Sequence, residues 1–188
     1  KKNQLFIGIQ LGRFKTDHTT NIQTKLNYKV TVNDITLPID DDESNTAKYT
    51  PLCYIIHLGE NRESGHYVSM IKSNDYWYIA NDSTILKFEA VLPEEQEKIE
   101  GQAYFVIYVN TAEYNKVKKK LKKPKGLYND GNTCFFNALL QTIFHMQKTE
   151  ELIKAKAAEA GAAELPPPPP PPPTPDEDEE TAAESPPS

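Results

Sequence analysis

Two short stretches of this chain hold the residue types that could do covalent chemistry. Cys134 lies at the start of a segment with helical apolar spacing, and His66 lies far upstream in the stretch Gly65-His66-Tyr67. A cysteine with a distant histidine is the sequence outline of a thiol hydrolase, whose catalytic groups meet in space and not in sequence. Cys134 and His66 are therefore the candidate nucleophile and general base.

The position of Cys134 favours a reactive thiol. Thr133 or Asn132 is a natural N-cap for the helix that the following residues predict, so Cys134 falls in its first turn. The helix dipole and the unpaired backbone N–H groups of a first turn stabilise a thiolate, and they can also donate to an oxyanion. The alternative interpretation is a small hydrophobic residue buried at a helix start. The predicted helix has one wide apolar face, made by Phe136, Leu139, Leu140, Ile143, Phe144 and Met146.

The position of His66 suggests how its ring could be oriented. Residues 73–75 (SND) predict a hairpin turn between a strand that follows His66 and a strand that contains Trp77. In such a hairpin the outer ends meet, so Asn81 or Asp82 returns beside His66. An amide or carboxylate there would fix the imidazole tautomer. The other histidines, His18, His57 and His145, are interpreted as structural.

The elements that must position these residues predict an α+β domain. Apolar alternation indicates about six strands, including residues 5–11, 26–32, 54–57, 67–71, 76–80 and 103–109. One strong helix follows, running to about Ala158, with Gly161 as its expected end. The predicted fold is therefore an antiparallel sheet with the cysteine helix packed on it.

Composition divides the 188 residues into four regions. Residues 1–110 form the strand-rich half, 111–125 a lysine-rich linker, 126–158 the cysteine helix and 159–188 a tail. The tail holds eight consecutive prolines and an acidic cluster at 176–180, which predict an extended polyproline spacer and a solvated end. A weaker interpretation is an adaptor whose proline-rich tail docks on SH3- or WW-type domains.

The net charge of −6 is unevenly placed, because seven lysines fall within residues 116–125. Such a run could contact nucleic acid, an anionic partner or a nuclear import receptor. A solvated linker is the favoured interpretation, since no aromatic residues interleave with the lysines to stack on bases. We therefore expect no nucleic-acid partner.

The two cysteines lie in different surroundings and predict no disulfide framework. Cys53 falls in an apolar run and is interpreted as a core residue. A free nucleophilic thiol favours a reducing compartment, so cytoplasm or nucleus is expected. No segment has the length of a membrane span, and no membrane association is expected. Since the chain opens with Lys1, a fragment, a processed piece or an excised domain is expected.

The sequence resembles a known family, the ubiquitin-specific proteases. Residues 126–141 read GLYNDGNTCFFNALLQ, which resembles their cysteine box, G-L-x-N-x-G-N-T-C-Y/F-x-N-x-x-L-Q. Residues 65–68 (GHYV) and 77–82 (WYIAND) resemble their histidine box, and residues 103–108 (AYFVIY) resemble their closing strand. The resemblance covers roughly residues 5–147, and its two boxes are highly specific.

The resemblance assigns a role to each candidate site residue. It implies a papain-like cysteine protease fold with Cys134 as nucleophile and His66 as general base. Asn81 would be the third member of the triad, Asp82 the neighbouring acidic residue, and Asn129 a donor to the oxyanion. The resemblance implies no metal and no organic cofactor.

The function implied by the resemblance is that of a thiol-dependent deubiquitinating protease. It would hydrolyse the isopeptide or peptide bond after the C-terminal glycine of ubiquitin. Its partners would be ubiquitin, or a ubiquitin-like modifier, and their conjugates. The alternative is a catalytically inactive remnant of such a protease that binds ubiquitin or serves as a scaffold.

The order of the two boxes is the reverse of the family order, since the histidine box comes first here. The thumb helices and fingers that separate the boxes in the family are largely absent, and two cysteines cannot form the paired zinc ligands often found there. One explanation is a circularly permuted, shortened protease. The other is a chain that spans the end of one protease copy and the beginning of the next. Residues 110–125 could extend on the order of 50 Å, which allows a site within one chain.

Overall fold

The fold was analysed in a computed structural model that describes residues 4–26, 28–39, 41, 43–60, 64–99 and 101–163. The tail beyond residue 163 lies outside the described residues. In chain order the strands are β1 Phe6–Gln10, β2 Phe14–Thr16, β3 Gln23–Lys25, β4 Ile35–Pro38, β5 Thr46–Leu58, β6 His66–Ser73, β7 Tyr76–Asn81, β8 Thr84–Lys87 and β9 Ala103–Asn110. The helices are α1 Pro93–Ile99, α2 Thr111–Val117 and α3 Cys134–Ala163, with 3₁₀ turns at Phe88–Ala90 and Lys118–Lys120.

Seven of the described strands form one sheet, in the order β1-β9-β5-β6-β7-β8, with β4 also paired to β5. Each described pairing is antiparallel. The strand β5 is central and long, and it pairs with β6, β9 and β4. A separate small sheet joins β2 to β3. This arrangement confirms the predicted α+β class, with one strand more than expected in the main sheet.

The sheet buries apolar side chains on both faces because neighbouring residues of each strand point to opposite sides. On one face, Ile71 packs in a cluster with Tyr114 and Val117 of α2 and Ile153 of α3. On the other face, a cluster that includes Met70 is covered by Ile99 of α1. Among the described helices, none is both long and apolar enough to cross a membrane.

The region predicted to be a solvated linker is partly folded and partly buried. Asn110 caps α2, and its side-chain oxygen accepts from the N–H groups of Ala112 and Glu113 at 3.1 and 3.2 Å. Leu121, in the middle of the lysine run, is 2% exposed and joins the core. The apolar residues that alternate with the lysines explain this difference, since they anchor the segment while the lysines face solvent.

Two other expectations about the elements differ from the structure. Within residues 26–32 the described positions form no strand, because isolated hydrogen bonds hold them instead of a ladder. The Leu26 N–H donates to the carbonyl of Arg13, and the Arg13 guanidinium donates to the carbonyl of Tyr28. The helix α3 also continues past Gly161 to Ala163, since one glycine lowers helix stability without necessarily ending the helix.

The face that α3 presents to the sheet is not the apolar face predicted from spacing. Phe136, Ile143 and Phe144 are 55%, 36% and 51% exposed. The residues that are buried along the helix are mostly small or polar: Asn137, Ala138, Gln141, Thr142, His145, Thr149 and Ile153. Apolar periodicity identifies a helix here, but hydrogen bonding decides which side meets the sheet.

Candidate functional site

The histidine part of the site is built by the β6–β7 hairpin. Its register runs from Ser69 opposite Ala80 to Ser73 opposite Tyr76, so the predicted hairpin is confirmed. At the open end, His66 Nε2 lies 2.7 Å from Asn81 Oδ1. Because an amide oxygen only accepts, Nε2 carries the proton in the neutral ring, which leaves Nδ1 with its lone pair. Asn81 can therefore fix the tautomer that a general base needs.

Gly65 allows the chain to approach the neighbouring strand closely just before His66. Its φ is +146°, and an added Cβ would lie 2.5 Å from His57 Nε2 and 2.7 Å from the Leu58 carbonyl. Only glycine fits this combination of dihedral angle and space. A side chain at residue 65 would therefore displace the chain directly before His66.

Asp82 connects the histidine hairpin to the cysteine segment. It has a positive φ of 49°, a conformation that Asp tolerates better than most residues. Its Oδ2 accepts from Asn129 Nδ2 and its Oδ1 accepts from Asn137 Nδ2, both at 2.8 Å. Its backbone carbonyl accepts from the Leu127 N–H at 2.8 Å and from Gln141 Nε2 at 3.2 Å. Four donors from residues 127–141 therefore converge on one residue.

Asn129 is held at both ends of its amide. While its Nδ2 donates to Asp82, its Oδ1 accepts from the Thr133 hydroxyl at 2.7 Å and from the Thr133 N–H at 3.2 Å. The amide nitrogen has two protons, so one N–H can serve Asp82 while the other can serve a substrate. Its role as an oxyanion donor stays a prediction.

The nucleophile candidate Cys134 is the first residue of α3 and is partly exposed. The Asn137 N–H donates to the Thr133 carbonyl at 2.8 Å, which places Thr133 at the N-cap position. The ring of Phe135 meets that of Tyr67 edge to face, with centroids 5.1 Å apart. This ring contact joins the residue that follows Cys134 to the residue that follows His66.

Farther along α3, hydrogen bonds keep the helix on β6. The Ser69 hydroxyl donates to the Ala138 carbonyl at 2.7 Å, and the Thr142 hydroxyl donates to the Ser69 hydroxyl oxygen at 3.5 Å. His145 Nε2 lies 2.8 Å from the Lys72 carbonyl oxygen. These contacts follow β6 away from His66, and they set the position of the helix along the strand.

The segment that leads into Cys134 passes very close to the end of β7. An added Cβ on Gly126 would lie 2.1 Å from the backbone oxygen of Ser83, the residue after Asp82. A side chain at residue 126 would therefore push residues 126–129 away from Asp82. The glycine that opens the cysteine box is explained by this close approach.

The second cysteine is chemically unlike the first. Cys53 is fully buried, with its Sγ 4.0 Å from the Thr142 carbonyl, and burial raises the pKa of its thiol. A thiol held protonated in the core is a poor nucleophile. Of the two cysteines, Cys134 alone is both accessible and at a helix start, as the sequence indicated.

Two residues that the sequence did not identify as functional connect the cysteine helix to the histidine hairpin. Asn137 is 6% exposed and Gln141 is 4% exposed, and both donate to Asp82. The signal was present, because these two amides lie one helical turn apart on the same face as Ala138 and Thr142. Polar residues repeating at that spacing indicated a buried polar face of α3.

Among the described residues, no group of three or more His, Cys, Asp or Glu side chains could hold a metal ion. The arrangement around Asp82 supplies several reactive and hydrogen-bonding groups. It offers a thiol at a helix start, an imidazole with an oriented ring, and amide and backbone N–H donors near the thiol. These are the kinds of group that nucleophilic acyl transfer uses.

Comparison with known proteins links this fold to one family. The family model described as "Ubiquitin carboxyl-terminal hydrolase" matches residues 5–108. The matched region contains His66, Asn81 and Asp82, and it ends before the cysteine box.

Individual relatives match over a limited length. A protein of Caenorhabditis elegans named ubiquitin carboxyl-terminal hydrolase 46 is 32% identical over 99 residues, which cover 50% of this chain and 23% of that protein. Ubiquitin carboxyl-terminal hydrolase 12 of Salmo salar is 29% identical over 103 residues, covering 50% and 26%. The matched part of the chain thus spans about a quarter of the length of these curated relatives.

Solved structures with a similar fold include the yeast SAGA DUB module with Sgf73. One such chain superimposes with a TM-score of 0.45 at 22% identity, covering 56% of this chain and 24% of the other. The SAGA Ubp8/Sgf11/Sus1/Sgf73 DUB module gives a TM-score of 0.42 at 22% identity.

Proposed function

The chain belongs to the ubiquitin carboxyl-terminal hydrolase family, and on that premise we propose that it is a thiol-dependent deubiquitinating protease. It hydrolyses the isopeptide or peptide bond that follows the C-terminal glycine of ubiquitin. The observation that carries the proposal is the docking of the cysteine segment on Asp82, directly after the Asn81 amide that holds His66. This contact supports a site assembled within one chain despite the reversed order of the boxes.

The first half of the reaction forms an acyl-enzyme. His66 Nδ1 takes the proton of the Cys134 thiol, and the thiolate attacks the carbonyl carbon of the terminal glycine. The negative charge that develops on the carbonyl oxygen is stabilised by the Asn129 amide and the first-turn N–H groups of α3. The tetrahedral intermediate then breaks its C–N bond, and His66 gives its proton to the departing amine. A thioester joins Cys134 to ubiquitin.

The second half of the reaction releases ubiquitin. His66, now neutral, takes a proton from a water molecule that attacks the thioester carbonyl. The C–S bond breaks, the sulfur recovers a proton from His66, and ubiquitin leaves with a free carboxylate. Asn81 keeps the ring oriented in both halves, but as a neutral amide it adds no charge to stabilise the imidazolium. The proposed site therefore depends more on orientation than on electrostatics at this position.

The proposed substrate is a ubiquitin conjugate. Ubiquitin itself would be bound by surfaces outside residues 5–108, which match the family model, or by weak contacts within them. Three aromatic residues close to Cys134 in the sequence are exposed, with Tyr128 at 82%, Phe135 at 48% and Phe136 at 55% exposure. They offer apolar surface beside the thiol for the substrate tail. A free nucleophilic thiol favours a reducing compartment, so we propose that the protein acts in cytoplasm or nucleus.

Labelling with a ubiquitin that carries a thiol-trapping electrophile at its C-terminus tests the proposal. We expect a covalent adduct at Cys134 in the wild-type chain. The variant Cys134→Ala should lose the adduct, and His66→Ala should slow its formation by about 10²–10⁴-fold, the range for loss of a general base. Cys53→Ala is the matched control, because it removes the other thiol and should retain labelling.

Two outcomes would contradict the proposal. Absence of an adduct, from a protein with the circular dichroism of a folded chain, would mean that the two boxes do not form one site. Saturable binding of unmodified ubiquitin in that case would favour an inactive ubiquitin-binding domain. An adduct at Cys53 would mean that the assigned nucleophile is wrong.

A further inference from the structure

A basic groove runs between the lysine-rich segment and α3, away from Cys134. One wall is formed by residues 120–127, and the other includes Phe144, Lys148 and Leu152 of α3. The groove encloses about 730 Å³. Its floor is partly apolar, so an occupant would meet both charge and apolar surface.

The positive charge of this groove is poorly compensated within the described part of the chain. Five lysines line it: Lys120, Lys122, Lys123, Lys125 and Lys148. Lys148 pairs with Glu151 at 3.1 Å, and Lys120 lies 3.8 Å from Glu159. The other three make no ion pair with any described residue. A concave surface with three uncompensated cations attracts an anionic segment.

We propose that the basic groove binds the acidic cluster of the same chain, residues 176–180. That cluster reads DEDEE, and its charge is opposite to that of the groove lysines. Because it is covalently tethered, its effective concentration at the groove is in the millimolar range, which favours it over anions in free solution. The occupant is therefore the chain's own tail, and the groove is its docking surface.

The length of the tether suits this groove. From Ala163, the last residue of α3, back to Lys148 is fifteen helical residues, or about 22 Å at the rise of an α-helix. The eight prolines at residues 166–173 span about 25 Å when extended. If the chain reverses after residue 163, the proline run returns along the helix and the acidic cluster arrives level with Lys148 and Phe144.

Docking of the tail would also affect the candidate site. The wall formed by residues 120–127 ends at Leu127, whose N–H donates to the Asp82 carbonyl. A tail held against this wall would restrain the segment that carries Asn129. The acidic cluster would thus reinforce the contact between the two halves of the molecule, most strongly at low ionic strength.

Carbodiimide crosslinking of the full chain, followed by mass spectrometry, tests where the tail lies. We expect crosslinks from residues 176–180 to the groove lysines to exceed those to Lys15 and Lys87, which are exposed elsewhere, by roughly fivefold or more. The excess should fall as salt is raised. An even distribution over surface lysines would overturn the proposal. Crosslinks formed mainly between isotopically labelled and unlabelled chains would assign the groove to a second copy and overturn it too.

Competition with a fluorescent hexaglutamate peptide gives an independent reading. Replacing the five acidic residues of the tail by their amides should release the tail from the groove. The peptide should then bind this neutralised chain about tenfold more tightly than the wild-type chain at low salt. Equal binding to both would show that the tail does not occupy the groove. The neutralised chain carries Asp176→Asn, Glu177→Gln, Asp178→Asn, Glu179→Gln and Glu180→Gln.

Discussion

The strands that carry His66 and the helix that carries Cys134 are held in the molecule by different kinds of contact. In β6, Val68, Met70 and Ile71 are at most 1% exposed and pack into apolar clusters on both faces of the sheet. Where α3 meets the same strand, the Ser69–Ala138 and His145–Lys72 hydrogen bonds join the two elements, and Ile153 adds an apolar contact farther along the helix. One half is fixed by apolar burial and the other mainly by polar groups.

This difference separates the stability of the fold from the assembly of the site. Apolar burial is strong but does not depend on direction, so it keeps the sheet compact without setting where α3 lies along it. Hydrogen bonds are directional and costly to leave unmade when buried, so they set that position. Apolar substitutions in the sheet should therefore affect the fold, whereas polar substitutions around Asp82 should affect the site.

The largest effect is expected from truncating one isoleucine in each half. Ile71→Ala removes a fully buried side chain and should lower the free energy of unfolding by about 2–5 kcal/mol. Ile143→Ala removes a side chain of α3 that is 36% exposed and should cost less than about 1 kcal/mol. Urea unfolding followed by Trp77 fluorescence measures both. Equal losses would mean that α3 is held by apolar packing after all.

The part of the site that could be predicted from sequence alone is local. The turn at Asn74 and the alternating strands around it place Asn81 at the open end of the hairpin beside His66, and the structure has that arrangement. Neighbouring strands joined by a tight turn leave little freedom, so period-two patterning determines which ends meet.

The part that could not be derived from local pattern depends on contacts between distant residues. Asp82 and Asn129 are 47 residues apart, and Asp82 and Asn137 are 55 apart. Apolar periodicity also indicated the wrong face of α3, since a pattern identifies an apolar side without identifying what covers it. The pairing of a cysteine with a distant histidine and the family resemblance both suggested that the two stretches meet, but neither identified Asp82 as the residue that joins them.

A smaller effect is expected from weakening the polar connection at Asp82. Asp82→Asn keeps a residue that tolerates positive φ. It replaces one acceptor oxygen by an NH₂ group, which would face the Nδ2 donor of Asn129 or of Asn137. A hydrogen bond to a charged group contributes about 1.5–3 kcal/mol, so amide exchange at Thr133 should accelerate by about tenfold or more. Global stability should change less than in Ile71→Ala.

The matched control for that substitution is Asp75→Asn. Asp75 is an exposed carboxylate that pairs with Lys118 at 2.6 Å and lies at the other end of the hairpin. The Thr133 amide should exchange at the wild-type rate in this variant. If both substitutions accelerated that amide equally, Asp82 would have no special role in connecting the halves.

Adding a side chain where residue 126 passes Ser83 should destabilise the local contact by a similar or smaller amount than Asp82→Asn. Gly126→Ala places a Cβ 2.1 Å from the Ser83 oxygen, and relief of such overlap costs about 1–3 kcal/mol. We expect faster amide exchange at Leu127 and slower labelling of Cys134, with the sheet intact. Gly12→Ala is the control, since an added Cβ there has no neighbour within 4 Å. Unchanged Leu127 exchange in Gly126→Ala would contradict the close approach.

The smallest effect is expected from pH, through a histidine buried between α3 and β6. Burial lowers the pKa of His145 below its ordinary value, against a raising effect of its hydrogen bond to the Lys72 carbonyl. The folded protein therefore holds this ring neutral, while the unfolded chain protonates near pH 6.5. The stability that follows is fully present above that pH and is lost as pH falls toward the lower folded value.

Replacing His145 tests whether this loss belongs to the polar contact of α3. The variant His145→Gln can still donate to the Lys72 carbonyl but cannot titrate, so its urea midpoint should fall less between pH 7 and pH 5 than that of the wild type. The pKa of His57 is also lowered, by burial and by the charge of Lys25, so part of the acid loss should persist and belongs to the sheet. If the urea midpoint of His145→Gln fell between pH 7 and pH 5 by as much as that of the wild type, the contact between α3 and Lys72 would contribute none of the pH dependence of the fold.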